Sequence, residues 1–244
     1  MAAILMADFD GAQAAKQKAN EAPGHADAAR YAILRRLAPA LKHDMVVHLQ
    51  AAAMMAEVIA ARMDRGVPAD DALQNNLSRL NRMARQAVAA SLEVATWIEP
   101  AHDDAIELSA GVLECVAVVR SNFSFRGFEI VNDVVNESLP VSRTVLRNHL
   151  VAVMLCVTDD AQAPCVLTIS HNCTETGALL TVRCSAPLAA TDSQPVSVHY
   201  TPVRWPDVLA MALDDDVELT RSEIDTTLQI SRMTVTRPLR ITPV

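Results

Sequence analysis

From Tyr31 onward the apolar residues fall into a heptad series. Leu34, Ala38, Leu41, Met45, His48, Ala52, Met55 and Ile59 follow one another in alternating steps of four and three. A second series keeps the same alternation: Leu73, Leu77, Leu80, Ala84, Ala87, Ser91, Val94 and Ile98. Steps that average three and a half hold one stripe of a helix against a partner, as in a supercoiled bundle. Between the two series lies RGVPADD, where Gly66 can end the first helix, Pro68 blocks its continuation and Asp70 or Asp71 can cap the second. So short a link predicts an antiparallel hairpin. Each helix would run ~45 Å at 1.5 Å per residue. A lone hairpin that long leaves apolar surface uncovered, and a second copy would close a four-helix bundle, so a homodimer is expected.

After Trp97-Ile98-Glu99-Pro100 the pattern changes. Residues 104 to about 122 read as a helix, 128–135 as a strand, and Pro140 with Ser142 introduces a helix to about 161. Residues 165–171 and 178–186 read as a strand pair, and 189–202 as a polar loop. WPDVLAMAL reads as a short helix with Pro206 in its first turn. DVELTRSEID and TTLQISRMTV close the chain as two strands that turn at Ser222 to Asp225. That order predicts helices over one face of a mixed sheet. The expected fold class is therefore α+β, an antiparallel helical hairpin forming a dimeric four-helix bundle followed by an α/β sandwich. The boundaries fall at 1–27 (a loosely ordered leader), 28–99 and 100–244.

Composition narrows the partners. Half the residues are apolar (51%) but only 3% aromatic, which suits helix packing and small α/β layers. A net charge of −8 with scattered basic residues argues against nucleic acid and against an anionic membrane surface. No apolar stretch approaches the ~20 residues of a membrane span. The segment MAAILMADFDG lacks the basic start of a signal peptide. Five cysteines, odd in number and without a CxxC pair, read as reduced thiols. A cytoplasmic location is the expectation.

The chemistry centres on LKHDMVVHLQ. His43 lies two residues after Leu41 and two before Met45, so periodicity turns it out of the seam into solvent, whereas His48 falls on the seam. His48 can equally serve as a partly buried polar residue that fixes register. The remaining histidines show no metal-ligand spacing, and His171 with Cys173, two apart in strand-like sequence, makes a poor zinc site.

A His-Asp pair in the first helix of a heptad hairpin, followed by this α/β order, resembles the histidine-kinase family, which joins a dimerisation-and-phosphotransfer domain to an ATPase-like domain. The resemblance covers about residues 30 to 240 and implies that His43 carries phosphate. It also implies that Asp44 is the adjacent acid, placed to hydrogen-bond the ring and set its tautomer. Asp44 and His48 match the Asp-x-x-x-His spacing with which some members position a water for dephosphorylation. Lys42, Arg35 and Arg36 could offset phosphate charge or simply form a solvated face.

The departures concern ATP. The family holds nucleotide with a helix asparagine for Mg²⁺, an Asp-x-Gly-x-Gly loop and a glycine-rich lid, because backbone approaches phosphate closely only where side chains are absent. Here Cys156 stands at the magnesium asparagine, Ala152 at the preceding asparagine, and Asn148 lies one turn early. Of six glycines only Gly111, Gly127 and Gly177 fall in the second domain, and none follows Thr181. The expectation is a degenerate ATPase-like domain with no cofactor, in a histidine phosphotransferase that relays phosphate through His43. Its partners would be response-regulator receiver domains, which supply Mg²⁺, and an upstream histidine kinase. The alternative is an inactive pseudo-histidine-kinase that binds and regulates a kinase or response regulator.

Overall fold

The computed structural model describes residues 24–66, 71–99, 104–174, 177–185, 200–215, 217–221 and 227–231. Two long helices come first, α1 (His25–Asp64) and α2 (Asp71–Ile98). α1 stops where expected: Gly66 adopts φ +67° and its amide donates to the Met63 carbonyl at 2.9 Å. The leader up to residue 23, Pro68 and Asp70 lie outside the described residues.

The chain divides into two compact units. One holds residues 37–101, and the other holds the chain up to Arg36 together with residues 102–244. The first three turns of α1 therefore belong with the α/β unit. Ala29 and Ile33 in those turns are buried, whereas Ala38 of the heptad series is exposed.

Within the hairpin unit the α1 seam follows the heptad reading from Leu41 through Met45, His48, Ala52, Met55 and Ile59, all buried or half-buried. On α2 five of the eight members do, Ser91 among them, while Leu77, Ala84 and Ile98 are exposed. Leu73, Leu80, Ala87 and Val94 are covered, but they alternate with Asn76, Met83, Ala90 and Trp97. Leu77 and Ile98, which the heptad reading puts in the seam, remain 49% and 62% exposed. Residues 76 and 77 are neighbours on the helix surface, so a broad apolar face reads as either phase.

The α/β unit begins with a correction. Residues 105–107 form a short strand, β1 (Ala105–Glu107), rather than the start of a helix, and it pairs antiparallel with β3 (Pro140–Ser142). Three strand residues leading directly into LSAGVLECV leave no period-two signal to separate them from the helix. Next come α3 (Leu108–Phe125), β2 (Phe128–Asn132), α4 (Arg143–Asp160), β4 (Cys165–Thr174) and β5 (Gly177–Ser185). α5 (Trp205–Asp214), β6 (Glu218–Arg221) and β7 (Thr227–Ser231) complete the order. The main sheet runs β2-β4-β5-β7-β6, parallel between β2 and β4 and antiparallel elsewhere, a mixed sheet as expected.

Local caps set the helices. The Ser142 hydroxyl accepts from the Val145 amide at 3.4 Å to open α4. At α5 the Asp207 carboxylate accepts from the Arg204 amide at 2.8 Å, with Pro206 in the first turn. α4 is the central core helix, burying an unbroken run from His149 to Thr158. On the sheet, Leu167, Ile169, Leu180 and Val182 supply the buried face. Gly111 lets α3 approach α4, since a Cβ there would run into Leu146 and come within 2.9 Å of Ile106.

Two helices, α1 and α3, contain windows long and apolar enough to cross a membrane by length and composition, against the expectation from the sequence. In α3 Val112, Val116, Val119 and Phe123 are core of the α/β unit, while Leu113 and Phe125 are exposed. In α1 they lie around the helix as exposed Val47, Leu49, Met54, Val58 and Met63 as well as in the seam.

Candidate phosphotransfer site

His43, Asp44 and Lys42 are exposed on α1, and His48 is half-buried. Residues one apart on a helix diverge, so His43 and Asp44 point in different directions, while Asp44 and His48, four apart, share a face. Among the described residues no hydrogen bond joins His43, Asp44 and His48 to one another. On the side of His43 the next turns carry Val47, Met54 and Val58, four, eleven and fifteen residues on, all exposed. The histidine thus heads an apolar stripe that its own chain leaves uncovered.

The α/β unit holds a charged network that the sequence did not disclose. Asp159, at the end of α4, is 1% exposed and lies between Arg36 and Arg126. Arg36 donates to both carboxylate oxygens, at 2.8 and 3.3 Å, and Arg126 approaches at 3.0 Å. The Tyr200 hydroxyl donates at 3.2 Å and the Val203 amide at 2.9 Å. The Arg36 guanidinium also lies 3.4 Å over the Tyr200 ring. Burial and the neighbouring Asp159 push the Tyr200 hydroxyl above its ordinary pKa. With five donors around it, the carboxylate is fully satisfied.

A second group ties α1 to α5. His25 Nε2 meets Asp207 at 3.0 Å, and Arg30 contacts Asp214 at 2.7 Å and Asp215 at 2.9 Å. Asp215 also receives His149 Nε2 at 2.9 Å. Burial alone would raise the Asp215 carboxyl, but His149 and Arg30 hold it below its ordinary value. Burial opposes charge on Arg30 as well, yet Asp214 and Asp215 hold it above its ordinary value. Arg35, grouped with Arg36 in the sequence as a solvated face, is indeed exposed, but Arg36 is consumed by Asp159.

At the positions where the family resemblance places nucleotide ligands, Cys156 and Ala152 are buried and Asn148 is half-buried. Burial pushes the Cys156 thiol up to about 12. Among the described residues no group of three or more His, Cys, Asp or Glu is arranged to hold a metal. His171 lies 3.6 Å from Glu137, and the Cys173 side chain is outside the described residues.

No family model matches the chain, and no curated protein matches it. Among solved structures it is similar to the histidine kinase AdeS of Acinetobacter baumannii at 15% identity, covering 75% of this chain and 95% of that one, with a TM-score of 0.41. A structure described as a bacterial phosphotransferase is similar at 15% identity over 80% of this chain and 94% of that one, TM-score 0.35. The histidine kinase ThkA in complex with the response regulator TrrA is similar at 13% identity over 82% and 62%, TM-score 0.38.

Proposed function

We propose that this chain is a histidine phosphotransferase of a two-component phosphorelay, passing phosphate between His43 and aspartates of response-regulator receiver domains without ATP of its own. The observation that carries the reading is the placement of His43. It is an exposed imidazole on the first helix of a hairpin, at the head of an uncovered apolar stripe formed by Val47, Met54 and Val58. A phosphocarrier must offer its ring nitrogen to an attacking partner, and a docking partner needs apolar surface beside it.

The reaction is in-line displacement. A neutral imidazole nitrogen attacks the acyl phosphate of a receiver, the aspartate leaves, and the reverse step delivers the phosphoryl group to a second receiver. Such a transfer depends on positioning and charge stabilisation, with the metal supplied by the receiver. In this reading Asp44 and His48, one turn apart on a common face, hold the water used for dephosphorylation.

The ATP-free part of the reading rests on composition and on Cys156. A buried thiol gives Mg²⁺ no hard oxygen ligand, and no glycine follows Thr181 to form a lid. Dimerisation is favoured by Leu77 and Ile98, apolar members of the heptad series that stay exposed in a single chain.

The test is transfer from a panel of phosphorylated receivers to wild type and to His43→Ala. Acid-labile label on wild type alone is the expected result. Receiver binding without label on either protein would instead identify the inactive scaffold.

A further inference from the structure

Cys165 opens β4 and Cys184 stands near the end of β5. The antiparallel register sets Cys184 opposite Leu167. Side chains alternate along a strand, so Cys165 shares the face of Leu167 and of Cys184, one diagonal step away. The Cys165 thiol donates to the Gln162 carbonyl at 2.9 Å and stands beside Cys184 across the β4–β5 ladder. Both residues are half-buried, whereas Cys115 and Cys156 are sealed in the core. The backbone at Cys165 is held by its pairing with Phe128 of β2 and by the hydrogen bond its amide donates to the Gly127 carbonyl at 3.3 Å.

From this geometry we infer that Cys165 and Cys184 form a redox-responsive dithiol, which closes to a cross-strand disulfide by exchange with a low-molecular-weight disulfide. Diagonal neighbours lie ~7–8 Å apart and disulfides span up to ~6.8 Å at Cα, so closure requires the first residue of β4 to move by about 1 Å toward β5. Cys165, at the open end of β4, is the first attacker, and burial with the Cys165 thiol alongside pushes the Cys184 thiol up to about 12. Cys165 loses its proton to solvent and its thiolate attacks one sulfur of the reagent. The reagent's S–S bond breaks and one thiolate leaves. Cys184 then gives up its proton and attacks the Cys165 sulfur, expelling the second thiolate. Two protein thiols are oxidised and one reagent disulfide is reduced to two thiols.

The experiment treats the full chain with oxidised glutathione, alkylates the remaining thiols and maps the peptides by mass spectrometry. The expected result on wild type is a Cys165–Cys184 cross-linked peptide with no lasting glutathione on either residue. Cys184→Ser should trap glutathione on Cys165, and Cys165→Ser should slow modification of Cys184 at least tenfold. Circular dichroism establishes that both variants are folded; if either is not, the wild-type map alone decides. Wild type that keeps glutathione on Cys165 as fully as Cys184→Ser, or that alkylates freely at both positions, would overturn the inference.

Discussion

Arg36 and Asp159, 123 positions apart in the chain, form a two-pronged ion pair at 2.8 and 3.3 Å. With Arg126 on its other side, Asp159 is a buried carboxylate whose charge is balanced only while both guanidinia are in place. Replacing it leaves two nearly buried cations facing each other. Asp159→Asn should therefore cost about 3–5 kcal/mol, read as a lower midpoint in denaturant unfolding. An unchanged midpoint would mean that water already serves these arginines.

His43→Ala should behave in the opposite way. The side chain is exposed, so stability should stay within about 0.5 kcal/mol of wild type, while phosphoryl transfer from receivers disappears. Thermal unfolding and acid-labile labelling on the same preparations separate the two effects. A destabilised His43→Ala would contradict the exposed placement itself.

The pair of Asp215 with His149 and Arg30 carries a pH signature. A carboxyl held below its ordinary value contributes stability above the unfolded pKa of 3.8, and loses it as pH falls through the lower folded value. Asp215→Asn should be less stable than wild type by about 1.5–3 kcal/mol at neutral pH. The gap should persist on acidification to near pH 4 and close below it. Unfolding curves across that range test the sign; a gap that widens in acid would refute it.

Leu77 tests the assembly. In a twofold dimer each substitution counts twice, and a buried leucine contributes about 1.5–3 kcal/mol. Leu77→Glu should weaken dimerisation at least about a hundredfold, seen by sedimentation, while the helical circular dichroism of the hairpin is retained. A wild-type chain that sediments as a monomer would remove the bundle altogether.

Gly111→Ala should cost about 1–3 kcal/mol, because the added methyl meets the buried Leu146 side chain and Ile106. The midpoint of unfolding reports it, and pairing the change with Leu146→Val should recover part of the loss.

The hairpin was legible because heptads, a positive-φ glycine and a nearby proline are local signals, each readable within a few residues. The strand and helix order of the α/β unit followed from the same kind of evidence, as did the first-turn placement of Pro206. What escaped was non-local or too short. The three residues of β1 carry no period, and Pro140 and Ser142, read as the approach to a helix, are also its strand partner. The phase of α2 was half right because Leu77 and Asn76 flank the same seam. Exposure of His43 could be read from its offset to Leu41 and Met45. No spacing rule could pair Arg36 with Asp159 or Arg30 with Asp215, since nothing within a window of ten or twenty residues relates them.

The division of the chain at Arg36 and residue 101 has a consequence for the order of synthesis and for cutting the protein apart. The hairpin is complete in sequence before α3 has been made, so it can form while the chain is still emerging. The α/β unit cannot, because its first contributors, His25, Arg30 and Arg36, precede the hairpin and must wait for Asp159, Asp207, Asp214 and Asp215 from the far end. A fragment starting near residue 100 would leave Asp159 without one of its two arginines, and a hairpin fragment starting at 25 would carry His25, Arg30 and Arg36 without Asp159, Asp207, Asp214 and Asp215. The unit draws on segments from both sides of the hairpin, and neither segment is a domain by itself.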